Sequence, residues 1–355
     1  MITSFVHGAL DSLCQRWSQS DRVGALSLRV RDREGQEFVY PRDDQSRHLI
    51  ASVSKTFFAA GTFIAARKQL IALDQPAASY LPAGVMAGLC VVDGVDYSET
   101  VTVSQLLSHR SGIPDYYRVK ALKPAPDIES RTLADPGWSF DEALDIARTL
   151  PGAFIPGTGK SHYSFTNYQL IGRLLSEVTG KDLSSVLSDD IAQPLGLSDT
   201  SLLTPDNPGV FDSAAPILYG TQRYRGSRRM ASLGAEGAIV SSTLDVMNFL
   251  DALTGGGLLT PDEWEHMATP LGSPFPAISY GHGVMAVTLP RVLTRLKKVS
   301  PLIGHSGATG SFMFTQPKSG VKIVGTINQI GKPLDSVRFM AQVARLLARD
   351  SRQSS

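Results

Sequence analysis

Strand-like segments lie only near the two ends of this chain, and that placement limits its fold more than any other feature. Two alternating runs, residues 23–31 and 36–40, are joined through Glu34-Gly35. Comparable runs return at residues 282–287, 311–315 and 321–327. Between about residues 71 and 230 the chain is loop-rich and helical, with the clearest helices at 140–150, 167–179 and 183–191. An opening helix at 5–18 and a closing one at 334–348 flank the strands. The expected architecture is therefore of the α/β (α+β) class: an antiparallel sheet formed by both chain ends and flanked by helices, with a mostly helical lobe inserted. Residues 1–70 and 231–355 form the sheet domain, 71–230 form the lobe, and the site falls between them.

Composition fits one globular unit with an ample core, since 42% of the 355 residues are hydrophobic. Thirty-four basic against 33 acidic residues leave a formal charge of +1, so no global field points to nucleic acid. No uninterrupted apolar run reaches membrane-spanning length. The opening residues Met1 to Gly8 lack a basic region followed by an apolar block, the mark of a secretory signal. Cys14 and Cys90 show no metal or redox spacing; a disulfide between them stays open, and free buried thiols suit the cytoplasmic location expected here. The oligomeric state stays open.

The chemistry starts at Ile50-Ala51-Ser52-Val53-Ser54-Lys55, because residues three apart on a helix share a face. A strand-like stretch ending at Ile50 places Ser52 at a helix start, where free N–H groups favour a developing oxyanion. The buried-looking segment 57–67 supplies that helix. A second tetrad, Ser319-Gly320-Val321-Lys322, falls in a turn after Pro317, so its side chains do not share a helical face.

Two further segments give the tetrad company. Tyr163 stands among small polar residues in Ser161-His162-Tyr163-Ser164-Phe165-Thr166-Asn167, at a loop-to-helix junction. Near the C-terminus comes Gly304-His305-Ser306-Gly307-Ala308. Ser-x-x-Lys, then Tyr-Ser-x about 110 residues on, then His-x-Gly resembles the serine β-lactamase and penicillin-binding-protein superfamily, in its class C-like branch. Leu106 to Pro114 looks like that branch's Leu-Leu-x-His-x-Ser-Gly segment, and Gly237 to Asp245 resembles the stretch before its late helix. The likeness spans roughly residues 20–345.

The resemblance implies Ser52 as nucleophile, Lys55 as its base and Tyr163 as a partner that shares the base role and relays the proton. Lys55 can act only when neutral, which burial or a nearby cation favours. An oxyanion hole is implied at the backbone N–H groups of Ser52 and Ala308, the latter on the branch's edge strand. His305, Ser306 and Gly307 are implied substrate contacts, with His305 where many relatives have lysine. Phe165 departs from the Tyr-x-Asn pattern, whose asparagine binds the amide of an acyl side chain. Either the site favours apolar acyl groups, or Thr166-Asn167 supplies the amide partner from a shifted loop, which makes Asn167 a further candidate.

Other motifs fail on chemistry. Gly304-His305-Ser306-Gly307-Ala308 resembles a nucleophile elbow, but no histidine follows Ser306. Gly157-Thr158-Gly159-Lys160-Ser161 resembles the end of a phosphate loop whose first glycine would be Phe154. No histidine pairing suits a catalytic zinc, and no cofactor is expected. Arg223, Arg225, Arg228 and Arg229 read as a solvated loop, with an anionic substrate contact as the alternative. The expected function is ester hydrolysis through a Ser52 acyl-enzyme, with acyl transfer as a variant. A D-amino-acid amidase or β-lactam/DD-peptide hydrolase is the alternative, and a non-catalytic ligand-binding scaffold the third. The expected partner is a small ester or amide, and the compartment argues against β-lactamases and cell-wall peptidases, which work outside the cytoplasm.

Overall fold

The computed structural model describes residues 2–118, 137–224, 226–289 and 300–348. Its main sheet has eight strands: β1 (Ser27–Arg31), β2 (Glu37–Tyr40), β3 (Gly272–Phe275), β4 (Ile278–Tyr280), β5 (Met285–Val287), β6 (Leu302–Ser306), β7 (Ser311–Gln316) and β8 (Val321–Thr326). All neighbours pair antiparallel, in the order β3-β4-β5-β6-β7-β8-β1-β2. The first strand thus closes against the last, with Ser27 opposite Thr326 and Arg31 opposite Lys322.

Strand alternation divides the core between the two faces of this sheet. Phe312 and Phe314 of β7 point into one cluster with Leu28, Val30 and Ile323, under helices α1 (Ser4–Ser18) and α5 (Pro333–Leu347). Met313 and Val324 point into the other, with helices α2 (Ser54–Arg67), α3 (Phe165–Thr179) and α4 (Thr243–Gly255). The sequence of α2 is apolar all round, and its residues from Ser54 to Ala65 are all buried, as such a pattern requires. Helix α3 stops at Gly180, whose φ of +67° is the left-handed cap that glycine takes without strain. A small sheet joins Arg47–Leu49, Ile239–Ser242 and Ser201–Leu202, and so ties the chain entering α2 to the segment leading into α4.

Several elements differ from the sequence expectation. The first strand begins at Ser27 rather than residue 23, because Gly24 leaves the ladder to pack against the Asn328 carbonyl. The helix expected at 183–191 is α-helical at Leu183–Leu187 and continues as a π turn at Ser188–Ala192. Both cysteines are free and buried, and burial pushes Cys14 up to about 12 and Cys90 to about 11. No helix among the described residues is long and apolar enough to cross a membrane.

Candidate active site

Ser52 lies in a single 3₁₀ turn, Ala51–Val53, wedged between the strand Arg47–Leu49 and the start of α2. Ala51 takes the left-handed conformation, φ +47°, which costs a non-glycine residue about 1 kcal/mol and throws the following serine forward. Surrounding hydrogen bonds hold the strain in place. Thr309 Oγ1 donates to the Leu49 carbonyl at 2.7 Å and Ser311 Oγ to the Ile50 carbonyl at 2.6 Å. From the opposite side, the Ile50 N–H donates to the Ile239 carbonyl at 2.9 Å.

One turn on, Lys55 is fully buried, and its Nζ donates to Ser52 Oγ at 3.2 Å and to the Glu236 carbonyl at 2.6 Å. Burial lowers its pKa to about 8, and any negative charge on Glu236 or Asp115 would oppose that fall. Nζ also lies 4.3 Å from the centre of the Phe165 ring. An amine within reach of a hydroxyl, and close to losing its proton at neutral pH, can serve as a general base.

Tyr163 stands beside the pair, with Lys55 Nζ 5.2 Å from the centre of its ring and the Ser52 hydroxyl among the groups that act on its phenol. Burial raises its pKa, and the neighbouring Ser52 hydroxyl only partly offsets this, so the group remains a neutral phenol. A relay role suits that state; an anionic base does not. The ring is held by His109 at 4.2 Å and Phe275 at 5.2 Å between centroids. His109 is itself fixed: its Nδ1 accepts from the Ser164 N–H at 3.2 Å and from Asn167 Nδ2 at 3.1 Å, which places the ring proton on Nε2.

His305 and Asn167 depart from expectation. His305 is fully buried, with Nε2 at 2.9 Å from the Tyr280 hydroxyl and Nδ1 at 2.8 Å from the Ser306 carbonyl. Burial, aided by the Lys55 charge, drops its pKa to about 3, so it stands as a neutral, buried imidazole. Asn167 is buried too, and its carbonyl accepts from Ser111 Oγ at 2.7 Å. Both ends of its amide are thus held within the protein. Thr166 donates to the Pro114 carbonyl in the same way. Sequence spacing could not reveal these orientations.

Strand β6 is interior to the sheet, not at its edge, but β5 pairs with it only from Leu302 to Gly304. Beyond that point Ser306 and Gly307 are half-buried and Ala308 is exposed in a turn. Gly307 presses on the nucleophile turn: a Cβ there would lie 2.3 Å from Ser311 Oγ, 2.5 Å from the Ile50 carbonyl oxygen and 3.0 Å from Ala51 Cβ. The Ser52 and Ala308 N–H groups meet no acceptor among the described residues. Phe165 stacks on Tyr117 at 4.7 Å, giving the site an aromatic side.

The second tetrad is dispersed: Ser319 Oγ donates to Gln316 Oε1 at 2.6 Å, while Lys322 pairs with Asp251. Arg223 is exposed on a two-residue strand, and Arg225 lies outside the described residues. Sequence reasoning missed the polar group behind Lys55. There the buried Glu236 carboxyl accepts from Tyr116 Oη and, at 3.1 Å, from Gln169 Nε2. A lone glutamate between Ala235 and Gly237 carries no periodic signal.

With this geometry in hand, comparison with known proteins is decisive at the family level, since a profile of the Beta-lactamase family matches residues 15–346. The chain belongs to the Beta-lactamase family. Within it, the chain is 26% identical to penicillin-binding protein 4 of Amycolatopsis lactamdurans over 275 residues, 67% of this chain and 62% of that protein. It is also 26% identical to esterase EstB of Burkholderia gladioli over 171 residues, 47% of this chain and 41% of the esterase. This Beta-lactamase family chain thus spans only part of the length of these curated relatives. Among solved structures, D-amino acid amidase from Ochrobactrum anthropi SV3, complexed with L-phenylalanine amide, superposes with a TM-score of 0.78 at 22% identity, covering 99% of this chain and 100% of the amidase. That likeness shows a shared fold. The proteins it resembles thus include a penicillin-binding protein, an esterase and, by fold alone, an amidase.

Proposed function

We propose that the protein cleaves carboxylic esters through an acyl-enzyme on Ser52. Lys55 takes the Ser52 proton as oxygen attacks the carbonyl carbon, and the N–H groups of Ser52 and Ala308 receive the developing oxyanion. The Tyr163 phenol passes a proton to the departing alkoxide. Water, or a second alcohol in the transfer variant, then releases the acyl group by the reverse route.

The observation that carries the ester reading is Phe165. Its ring stands 4.3 Å from Lys55 Nζ and stacks on Tyr117, at the position where the Tyr-x-Asn pattern offers an amide-binding side chain. Thr166 and Asn167 make hydrogen bonds within the protein, which supports reading Phe165 as the residue at that position. A pocket side without an amide partner discriminates against amide-bearing acyl groups and favours apolar ones.

A fluorophosphonate probe followed by peptide mapping should label Ser52, and an adduct on Ser306 or Ser319 would refute the assignment. On the same preparation, kcat/KM should be higher for a short-chain aryl ester than for a chromogenic cephalosporin or a D-alanine amide. Faster amide cleavage would favour a D-amino-acid amidase instead.

A further inference from the structure

Glu236 touches the lysine through its backbone carbonyl, which receives Nζ at 2.6 Å, while its own side chain is fully buried nearby. Oε1 accepts from Tyr116 Oη and from Gln169 Nε2. Tyr116 Oη is fixed in turn by Trp138 Nε1 at 3.0 Å, so its hydrogen points at the carboxyl. Oε2 has no hydrogen-bond partner among the described residues. The charged or titratable groups around it are Lys55 from α2, Asp115 and Tyr116 from the turn before residue 118, and more distantly Tyr117 and Tyr163.

Two arrangements of one proton compete here. A carboxylate in the neighbourhood of an ammonium would put two charges in the interior without direct contact and with one carboxyl oxygen bare, and desolvation of both ions makes that costly. A carboxylic acid beside an amine leaves a single unpartnered O–H, a smaller penalty. We propose that Glu236 is a positioning residue that holds its proton on Oε2, so that the carbonyl gripping Lys55 does so without a neighbouring negative charge and the lysine is released to act as a base. Burial displaces both groups in the direction this requires, the carboxyl upward and the lysine downward. The two opposing chains of hydrogen bonds, through Tyr116 and Gln169 on one side and Nζ on the other, keep the carbonyl aimed.

The inference rests on Lys55 being the base, and one readout is independent of catalysis. Infrared difference spectra at neutral pH, wild type minus Glu236→Gln, should contain a protonated-carboxyl stretch. A carboxylate pair in its place would overturn the proposal. If the glutamine variant does not fold, Tyr116→Phe serves, because withdrawing the bond to Oε1 should shift the protonated-carboxyl band and leave the carboxylate bands still; the converse would overturn it. In stopped-flow acylation, Glu236→Ala should slow the rate about tenfold or more at unchanged KM, and Glu236→Gln should recover most of that loss. The acid limb of the glutamine variant should keep its midpoint. A midpoint moved about one pH unit or more to lower pH would mean that a negative charge had been removed, and the proposal would fail. Absence of any acylation in the wild type would defeat the base reading while leaving the infrared result to stand.

Discussion

At the scale of single residues, the decisive quantity is the proton on Lys55. Its pKa near 8 means that the neutral amine is a minority below that pH and the dominant form above it. The rate of Ser52 acylation should therefore rise about tenfold per pH unit below pH 8 and level off above, as a pH series of kcat/KM will show. Lys55→Arg keeps a cation but cannot deprotonate, so acylation should fall by at least about a hundredfold in a folded protein. Phe165→Asn tests selectivity. Regaining one amide partner should move the kcat/KM ratio of a D-aminoacyl amide over a butyrate ester by about 1–2 kcal/mol toward the amide, and an unchanged ratio would show that position 165 does not touch the acyl group. Ser52 and Lys55 were legible because helical spacing fixes the face both occupy. His305 and Asn167 were not: their motifs give neighbours along the chain, whereas the direction of each side chain depends on Tyr280 and His109, which are distant in sequence.

At the scale of elements, the site depends on how closely the end of β6 approaches the turn before α2. Gly307 is required there by space, since any Cβ would displace Ser311 Oγ or the Ile50 carbonyl. Gly307→Ala should cost about 1–3 kcal/mol in chemical denaturation and slow acylation more than it raises KM, because it pushes Ala308 away from Ser52. A variant with wild-type stability and acylation would show that the two segments are independent. The long helices were readable from their periodicity, and α5, expected at 334–348, spans Pro333–Leu347. Strand β6 was implied only by the resemblance, because its Gly304-His305-Ser306 stretch has neither alternation nor β-branched residues, and its pairing on both sides supplies what propensity lacks. The helix Pro261–Ala268 did carry a local start signal, with proline in its first turn and the Thr260–Glu263 capping box.

At the scale of the whole molecule, the closure of a sheet by both chain ends was legible, because strand patterns occur only there, while the small sheet through Ser201–Leu202 was not, since two-residue strands leave no pattern. β1 and β2 reach the rest of the sheet through β8 alone. A chain stopped before residue 321 should retain helical circular dichroism yet lose cooperative unfolding and probe labelling of Ser52; cooperative melting of that fragment would contradict the topology. The same arrangement governs how the protein comes into being on the ribosome. β1 leaves the exit tunnel roughly 300 residues before the strand that must hold it, an interval of about 15 to 60 seconds at ordinary elongation rates. For most of that time Gly307 has not been made, and Leu28 and Val30 have only the hairpin partner β2 beside them. The nascent chain therefore carries its serine and lysine for nearly the whole of translation without the seam that presents them, and reactivity can arrive only with the last of the strands.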